Sequence, residues 1–361
     1  MRILLIIDGL PGGGAEKVIL TLAEGFLRQG HSVSLISLRD ICHYPLPEGL
    51  DYRVIADQCR APWRKLTELS RRAKQLDQQL TELPAFDLIL SNLHKTDRIV
   101  ARSQVLASQN LWFCLHGMFS TSYLGHRQGF SRWLKQWKIR RTYQQRNIVA
   151  VSQAVADDIK SQFALKPANL QVINNPFDQD AILAAASAPC ELAGTDYLLH
   201  VGRFHPGKRH DRLLKAYAQS GITAPLVLLG QGSPEQTRAL KDIAEQLNIT
   251  ERVIFKGFQS NPYPYIRHAK LLVLSSDSEG FGNVLVEALL CQTPVVSTRC
   301  PGGPEEILIQ AGLNECLADM NVRSLSEKMA TIFTATPAIA AEKLQRYQLT
   351  TICQQYLNLK G

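Results

Sequence analysis

The stretch SEGFGNVLVEALLCQTPVV, residues 278–296, carries two glutamates, Glu279 and Glu287, eight positions apart in a largely apolar run. Gly280, Phe281, Gly282, Asn283 and Val284 follow the first of them. An ionised carboxylate accepts hydrogen bonds from several hydroxyls at once, and carboxylates also serve as general acids, bases or nucleophiles. The glycines would bring backbone N–H groups to the head of a helix, an arrangement that suits a phosphate or a sugar hydroxyl. Upstream, Arg203 and Lys208 stand five apart across a Pro-Gly turn. A guanidinium fork and an ammonium together can hold a diphosphate. A third cluster, PGGGAEK at residues 11–17, sets Gly13 and Gly14 before a helix-like run. It is not the dinucleotide fingerprint G-x-G-x-x-G, because the third glycine position falls on Lys17. Gly230 in LLGQGS and Phe258 in FKGF mark two more glycine-bearing turns. Taken singly, each motif has a bland alternative. Glu287 could be a first-turn acid favoured by the helix dipole by about 0.3–1 kcal/mol. Glu279 could be a solvated loop acid, Arg203 and Lys208 two solvated cations, and the glycine loop a flexible turn.

Positioning these residues needs strands that end where the motifs begin. The run RILLII is short and continuously apolar, as in a strand buried on both faces. A helical run, AEKVILTLAEGFLRQ, follows the glycine loop and stops at Gly30. HSVSLISL, FDLILS, NLWFCLHG and NIVAVS continue the rhythm. It restarts with DYLLHVGRF, APLVLLGQGS, RVIFKGF, KLLVLSS and TPVVSTR. Alternating strands and helices imply parallel sheets covered on both faces. The expected fold is therefore α/β, two Rossmann-like doubly wound domains facing across a cleft. A Pro/Asn/Ala/Gly-rich region predicts a linker near residues 176–194, and the last segment, 341–361, a terminal helix. Ligands of such sheets bind at the carboxyl ends of the strands, where all the motifs above fall.

The 361 residues suit two domains, and 45% hydrophobic content with 20% charge excludes a disordered chain. A net charge of +8 favours acidic partners: nucleic acid, anionic lipid or phosphorylated small molecules. The eight cysteines include no C-x-x-C pair and no zinc spacing, which fits reduced thiols in a reducing compartment. MRILLIIDGL lacks the features of a signal peptide, and no run of eighteen apolar residues occurs.

Taken together, the motifs resemble those of the GT-B retaining glycosyltransferases, family 4, in the bacterial cell-surface polysaccharide and lipopolysaccharide group. SEGFGNVLVEALLCQTPVVSTRCPGGPEEIL is similar to that family's E-x7-E signature. GGGAEK resembles its glycine loop, LHG at 115–117 its histidine loop, and GRFHPGK its Arg and Lys clamp. VSQAVADDI and INNPFD resemble its interdomain helix and linker entry. The resemblance implies an acceptor-binding domain at 1–176, a nucleotide-sugar-binding domain at 177–340, and a C-terminal helix, 341–361, that packs back on the first. It implies that Glu287 holds the ribose hydroxyls and Glu279 contacts the donor sugar. Phe281, Gly282 and Asn283 would present backbone N–H groups to sugar and phosphate. Arg203 and Lys208 would neutralise the diphosphate as charge builds on the leaving group. Gly13 and Gly14 would meet the diphosphate or admit the acceptor, and His116 would sit beside the donor sugar. No metal and no other cofactor is expected. Catalytic roles fall to Glu279, His116, Arg203 and Lys208. Donor contacts extend to Gly230, Phe258, Gly280 and Val284.

The expected reaction moves a sugar, with retention, from a UDP-hexose or UDP-N-acetylhexosamine to a hydroxyl of a glycolipid or polysaccharide acceptor. Rival readings are a nucleotide-sugar epimerase or another enzyme of the same GT-B fold, and a non-catalytic membrane-associated GT-B module. Two basic patches, 60–74 and 130–141, bear on location. In the second, Phe130, Trp133, Leu134 and Trp137 are spaced as one helical face among cations. That pattern suits an anionic bilayer surface; a core-packed helix with a basic outer face is the alternative. No nucleic-acid-binding module is recognisable. A cytoplasmic enzyme, peripheral on the inner face of the plasma membrane, is expected.

Overall fold

The computed structural model describes residues 1–57, 59 and 64–360. The chain divides into two compact units, Met1–Pro176 with Tyr347–Gly361, and Phe177–Arg346.

In the first unit the strands are β1 (Arg2–Ile7), β2 (Ser32–Ser37), β3 (Asp51–Val54), β4 (Leu88–Asn92), β5 (Leu111–Leu115), β6 (Asn147–Ala150) and β7 (Asn169–Val172). They form one parallel sheet in the order β3-β2-β1-β4-β5-β6-β7. The order reverses between β1 and β4, so loops after those strands part to opposite faces and leave a crevice at their carboxyl ends. The central strands were legible because they are buried on both faces, Ile3 to Ile7 completely. The edge strands DYRV and NLQV were not foreseen. Each is partly exposed and lacks a continuous apolar run.

The second unit repeats the plan with β8 (Leu198–Val201), β9 (Leu226–Leu229), β10 (Val253–Gly257), β11 (Leu271–Leu274), β12 (Val295–Thr298) and β13 (Leu317–Ala318). The order is β10-β9-β8-β11-β12-β13, again parallel throughout, with the reversal between β8 and β11.

Two local expectations change. The predicted linker contains the helix Gln179–Ala186, whose Ile182 and Ala186 are buried. Asp178 starts it, accepting a hydrogen bond from the Ala181 N–H at 3.1 Å. The segment 341–361 is not one helix: a 3-10 turn, Ala341–Tyr347, precedes an α-helix, Leu349–Leu357. The boundary between units falls at Arg346 and Tyr347, and Tyr356 packs edge-on against Phe26 of the first unit at 6.5 Å.

Candidate active site

In the second unit the predicted residues gather at the strand reversal. Arg203 and Lys208 follow β8, and Glu279 follows β11, its immediate neighbour in the sheet. Lys208 Nζ donates to Glu279 Oε1 at 2.6 Å, bridging the two loops across the crevice. Ser276 Oγ donates to the same oxygen. Both bonds fall on Oε1, so Oε2 can accept from a ligand hydroxyl. An ammonium has three N–H donors, so Lys208 keeps others for an anion. Arg203 is exposed, and its guanidinium takes part in no ion pair among the described residues.

Backbone and charge contacts hold the two loops in register. Asp277 N–H donates to Gly207 O at 2.9 Å, and Ser275 Oγ to Lys208 O at 2.8 Å. Asp277 also accepts from Arg209 at 3.1 Å and from buried Arg212 at 2.6 Å. His200 and His210 lie buried beneath, their rings 4.5 Å apart. Burial lowers their pKa to about 4 and about 2, so both are neutral packing groups.

Glycine is needed here for close approach. A Cβ on Gly230 would come within 1.9 Å of Gly202 O, where the turn after β9 presses on the end of β8. A Cβ on Gly302 would come within 1.8 Å of Glu279 O, so the turn after β12 abuts the glutamate's own backbone. Gly230 thus has a packing role that the sequence had not suggested.

The helix Asn283–Leu290 starts at Gly282, whose φ of 97° is open to glycine and strained for other residues. Five of its residues are buried; Asn283, Val284 and Glu287 are half-buried. Their i, i+1, i+4 spacing puts them on one side of the helix. Glu287 therefore sits on the one open stripe of a buried helix. Tyr263 OH donates to its Oε1 at 3.0 Å, a contact sequence reading missed. Phe281 is buried against Phe177 at 6.3 Å, so its ring is core. Phe258 is 61% exposed just past β10, two strands from the reversal, and so stands at the margin of the cluster.

The first unit holds the other predicted residues. Gly13 and Gly14 follow β1, and His116 follows β5. Glu16 folds back over Gly13, with Oε2 only 2.2 Å from where a Cβ would stand. The head of that helix is already occupied by a carboxylate, which the helix dipole favours and which repels a phosphate. His116 Nε2 lies 3.0 Å from Asn92 Oδ1, and burial lowers the ring's pKa to about 4.

Of the basic patches, residues 60–63 lie outside the described residues, and the rest of the first continues as the helix Arg64–Thr81. The second forms the helix Gly129–Tyr143. Phe130, Trp133 and Trp137 are 74%, 54% and 43% exposed, so this aromatic face is not core. Phe130 stacks on Trp133, and Arg141 lies over Trp137. No helix among the described residues is long and apolar enough to cross a membrane.

Two family models match the chain: Glycosyltransferase Family 4 over residues 12–181, and Glycosyl transferases group 1 over residues 191–348. A Campylobacter jejuni protein, N-acetylgalactosamine-N,N'-diacetylbacillosaminyl-diphospho-undecaprenol 4-alpha-N-acetylgalactosaminyltransferase, is 27% identical over 84% of this chain and 82% of its own length. The lipopolysaccharide 1,6-galactosyltransferase of Salmonella typhimurium is 31% identical over 45% of this chain and 46% of its own. Among solved structures, Anabaena HepE in complex with UDP and glucose aligns over 98% of both chains, with TM-score 0.77 and 24% identity. Family models over both units, two doubly wound sheets, and the acid and base residues at the second sheet's reversal agree: the chain belongs to the family 4 glycosyltransferases of GT-B fold.

Proposed function

We propose that the protein transfers a hexose or N-acetylhexosamine, with retention, from a UDP-sugar to a hydroxyl of a lipid-linked or lipopolysaccharide-type acceptor. The observation that carries this reading is the Lys208–Glu279 bridge across the sheet reversal, with Glu287 on the open stripe of the next helix. In it, Glu287 accepts from the ribose hydroxyls while Tyr263 holds its carboxylate. Glu279 offers Oε2 to the transferred sugar. Arg203 and Lys208 take up the negative charge that grows on the diphosphate as the anomeric C–O bond breaks. The acceptor oxygen forms the new bond to that carbon, and its proton passes to the departing diphosphate. No metal is required by this scheme. Glu16 beside Gly13 disfavours a second phosphate there, so we assign Gly13 and Gly14 to the acceptor side. The Campylobacter relative, named for transfer to a diphospho-undecaprenol glycan, and the UDP-bound neighbour support the substrate classes. The exposed aromatic face of Gly129–Tyr143, with its cations, supports work at an anionic inner-membrane surface.

Thermal shift against UDP-glucose, UDP-galactose, UDP-GlcNAc, UDP-GalNAc and GDP-mannose tests the donor. A true donor at a hundredfold excess over its Kd stabilises by about 2.7 kcal/mol. Glu287→Ala should weaken that ligand roughly tenfold or more, given about 1.5–3 kcal/mol for a hydrogen bond to a charged group. UDP release must depend on a polyprenyl-diphosphate glycan or lipopolysaccharide acceptor, with the anomeric configuration of the product read by NMR. Acceptor-independent release with an epimerised sugar, or an inverted product, would overturn the reading.

A further inference from the structure

From Arg98 to Ala156 the sequence has nine lysines and arginines and no aspartate or glutamate. Six of these cations come from neighbouring elements of the first unit. Arg98 and Arg102 stand on and just after the helix His94–Val100, Arg127 follows the π-helical turn Ser120–Leu124, and Lys135, Lys138 and Arg141 lie on the helix Gly129–Tyr143. None of the six forms an ion pair among the described residues.

The contacts that fix them are neutral. Lys135 Nζ lies 3.7 Å from the centre of the Tyr123 ring, and Arg127 Nη1 donates to Leu124 O at 3.2 Å. Arg102 donates to Arg98 O, and Arg141 lies over the Trp137 ring at 5.3 Å. The side chains are held in place while their charge stays unspent. Burial, then the charges of Arg127, Lys138 and Arg98, lower the Lys135 pKa; burial, then Arg141 and Arg98, lower that of Arg102. The six therefore repel one another within a single row. Nearby carboxyls do not offset this. Asp97, beside Arg98, is fully buried, and its pKa is pushed up to about 8. On the helix Gln153–Phe163, Asp157 accepts from Gln153, and Asp158 from the Ser120 N–H. Like charges held together in a partly desolvated setting raise the free energy, and a bound anion removes that cost.

Arg98, Arg102, Lys135 and Lys138 are half-buried, and Arg127 and Arg141 are exposed, so an anion reaches the row from solvent. From Lys135 to Arg141 the helix rises roughly 9 Å, more than one phosphate spans. Guanidinium forks match phosphate oxygens in pairs. Bilayer phosphodiesters carry one charge each and are spread over a surface, whereas a diphosphate concentrates its charge in one group. Phe130 and Trp133 on the same helix expose apolar rings.

We propose that this cation row binds the diphosphate of a lipid-linked acceptor, with the hydrocarbon of the same molecule on the exposed aromatic rings. This rests on the reading of the acceptor as lipid-linked, and narrows it to a glycan carried on a diphosphate.

The test titrates the full chain calorimetrically with UDP saturating, so that the donor residues are occupied. Farnesyl diphosphate should bind roughly tenfold or more tighter than farnesyl phosphate, and than dioctanoyl phosphatidylglycerol below its micellar concentration. Equal binding of the monophosphate would overturn the proposal, and equal binding of the phosphatidylglycerol would make the row a bilayer headgroup contact instead. These comparisons use the wild-type chain and stand without any variant. Arg98→Gln/Lys135→Gln should weaken farnesyl diphosphate roughly tenfold or more and leave UDP affinity unchanged; unaltered farnesyl diphosphate binding would place the site elsewhere. In transfer assays the same variant should raise KM for a polyprenyl-diphosphate glycan roughly tenfold, with kcat and the UDP-sugar KM unchanged. Diphosphate binding as expected, with no transfer to any diphosphate-linked glycan, would overturn the acceptor class of the proposed function and leave the row as a diphosphate site.

Discussion

Lys208 and Glu279 already neutralise each other at 2.6 Å. A bridged pair is held in place before a ligand arrives, and preorganised charge costs no rearrangement when the leaving group develops its own. Glu287 is held the same way by a neutral donor, Tyr263. Removing that hydroxyl takes away one of the contacts that hold the carboxylate. Tyr263→Phe should therefore weaken UDP binding a few-fold, consistent with about 0.5–1.5 kcal/mol for one hydrogen bond, with little change in fold stability. Calorimetric titration with UDP checks it; unchanged affinity would mean that Tyr263 does not position Glu287. Sequence reading found the two glutamates and two cations, because they stand at fixed offsets from glycines within one continuous stretch each. It missed Tyr263 and Asn92, because their partners are 24 residues away in each case.

At the level of elements, the junction of β4 with the helix His94–Val100 contains a buried acid that the proposed chemistry does not use. Asp97 is fully buried and accepts from Ser91 at 2.6 Å and Tyr143 at 2.6 Å, and His94 Nδ1 lies 3.0 Å from the Tyr143 hydroxyl. Burial raises its pKa from 3.8 to about 8. Between those values the folded chain holds a proton that the unfolded chain has lost, so this group's contribution to stability falls as pH rises. The buried histidines act on the other side. Burial depresses His94 to about 3, His116 and His200 to about 4 and His210 to about 2, so their contribution is present above about pH 6.5 and lost as pH falls. Thermal unfolding should thus peak near neutrality and decline on both sides. Asp97→Asn should flatten the decline toward about pH 8 and leave the acid limb intact. A variant whose alkaline limb matches the wild type would show that Asp97 is ionised in the fold.

For the molecule as a whole, the chain carries a net charge of +8, and the helix Gly129–Tyr143 exposes three large aromatics. Apolar rings among cations are suited to the headgroup region of an anionic bilayer. Co-sedimentation with phosphatidylglycerol-containing vesicles should be lost in the Phe130→Ser/Trp133→Ser/Trp137→Ser variant and reduced by salt. UDP-sugar affinity should not change, because these side chains belong to the first unit, whereas Arg203, Lys208, Glu279 and Glu287, to which the proposal assigns the nucleotide and diphosphate, belong to the second. Equal vesicle binding by the variant would assign the aromatic face to another partner.

The sequence by itself determined the repeated α/β plan and the residue types that follow β8 and β11. Buried parallel strands must be short, apolar and punctuated, and those properties are local. The edge strands DYRV and NLQV were invisible for the same reason, since half-exposed strands carry no continuous apolar signal. Only the tertiary structure decided which loops meet. The sheet order places β8 beside β11, and nothing within either segment states that order. From that adjacency come the Lys208–Glu279 bridge, the turn at Gly302 pressed on the Glu279 backbone, and, in the other sheet, the Asn92 amide that reaches His116. Strand order is set by how whole faces bury one another, so it is a property of the packed sheet and not of any one stretch.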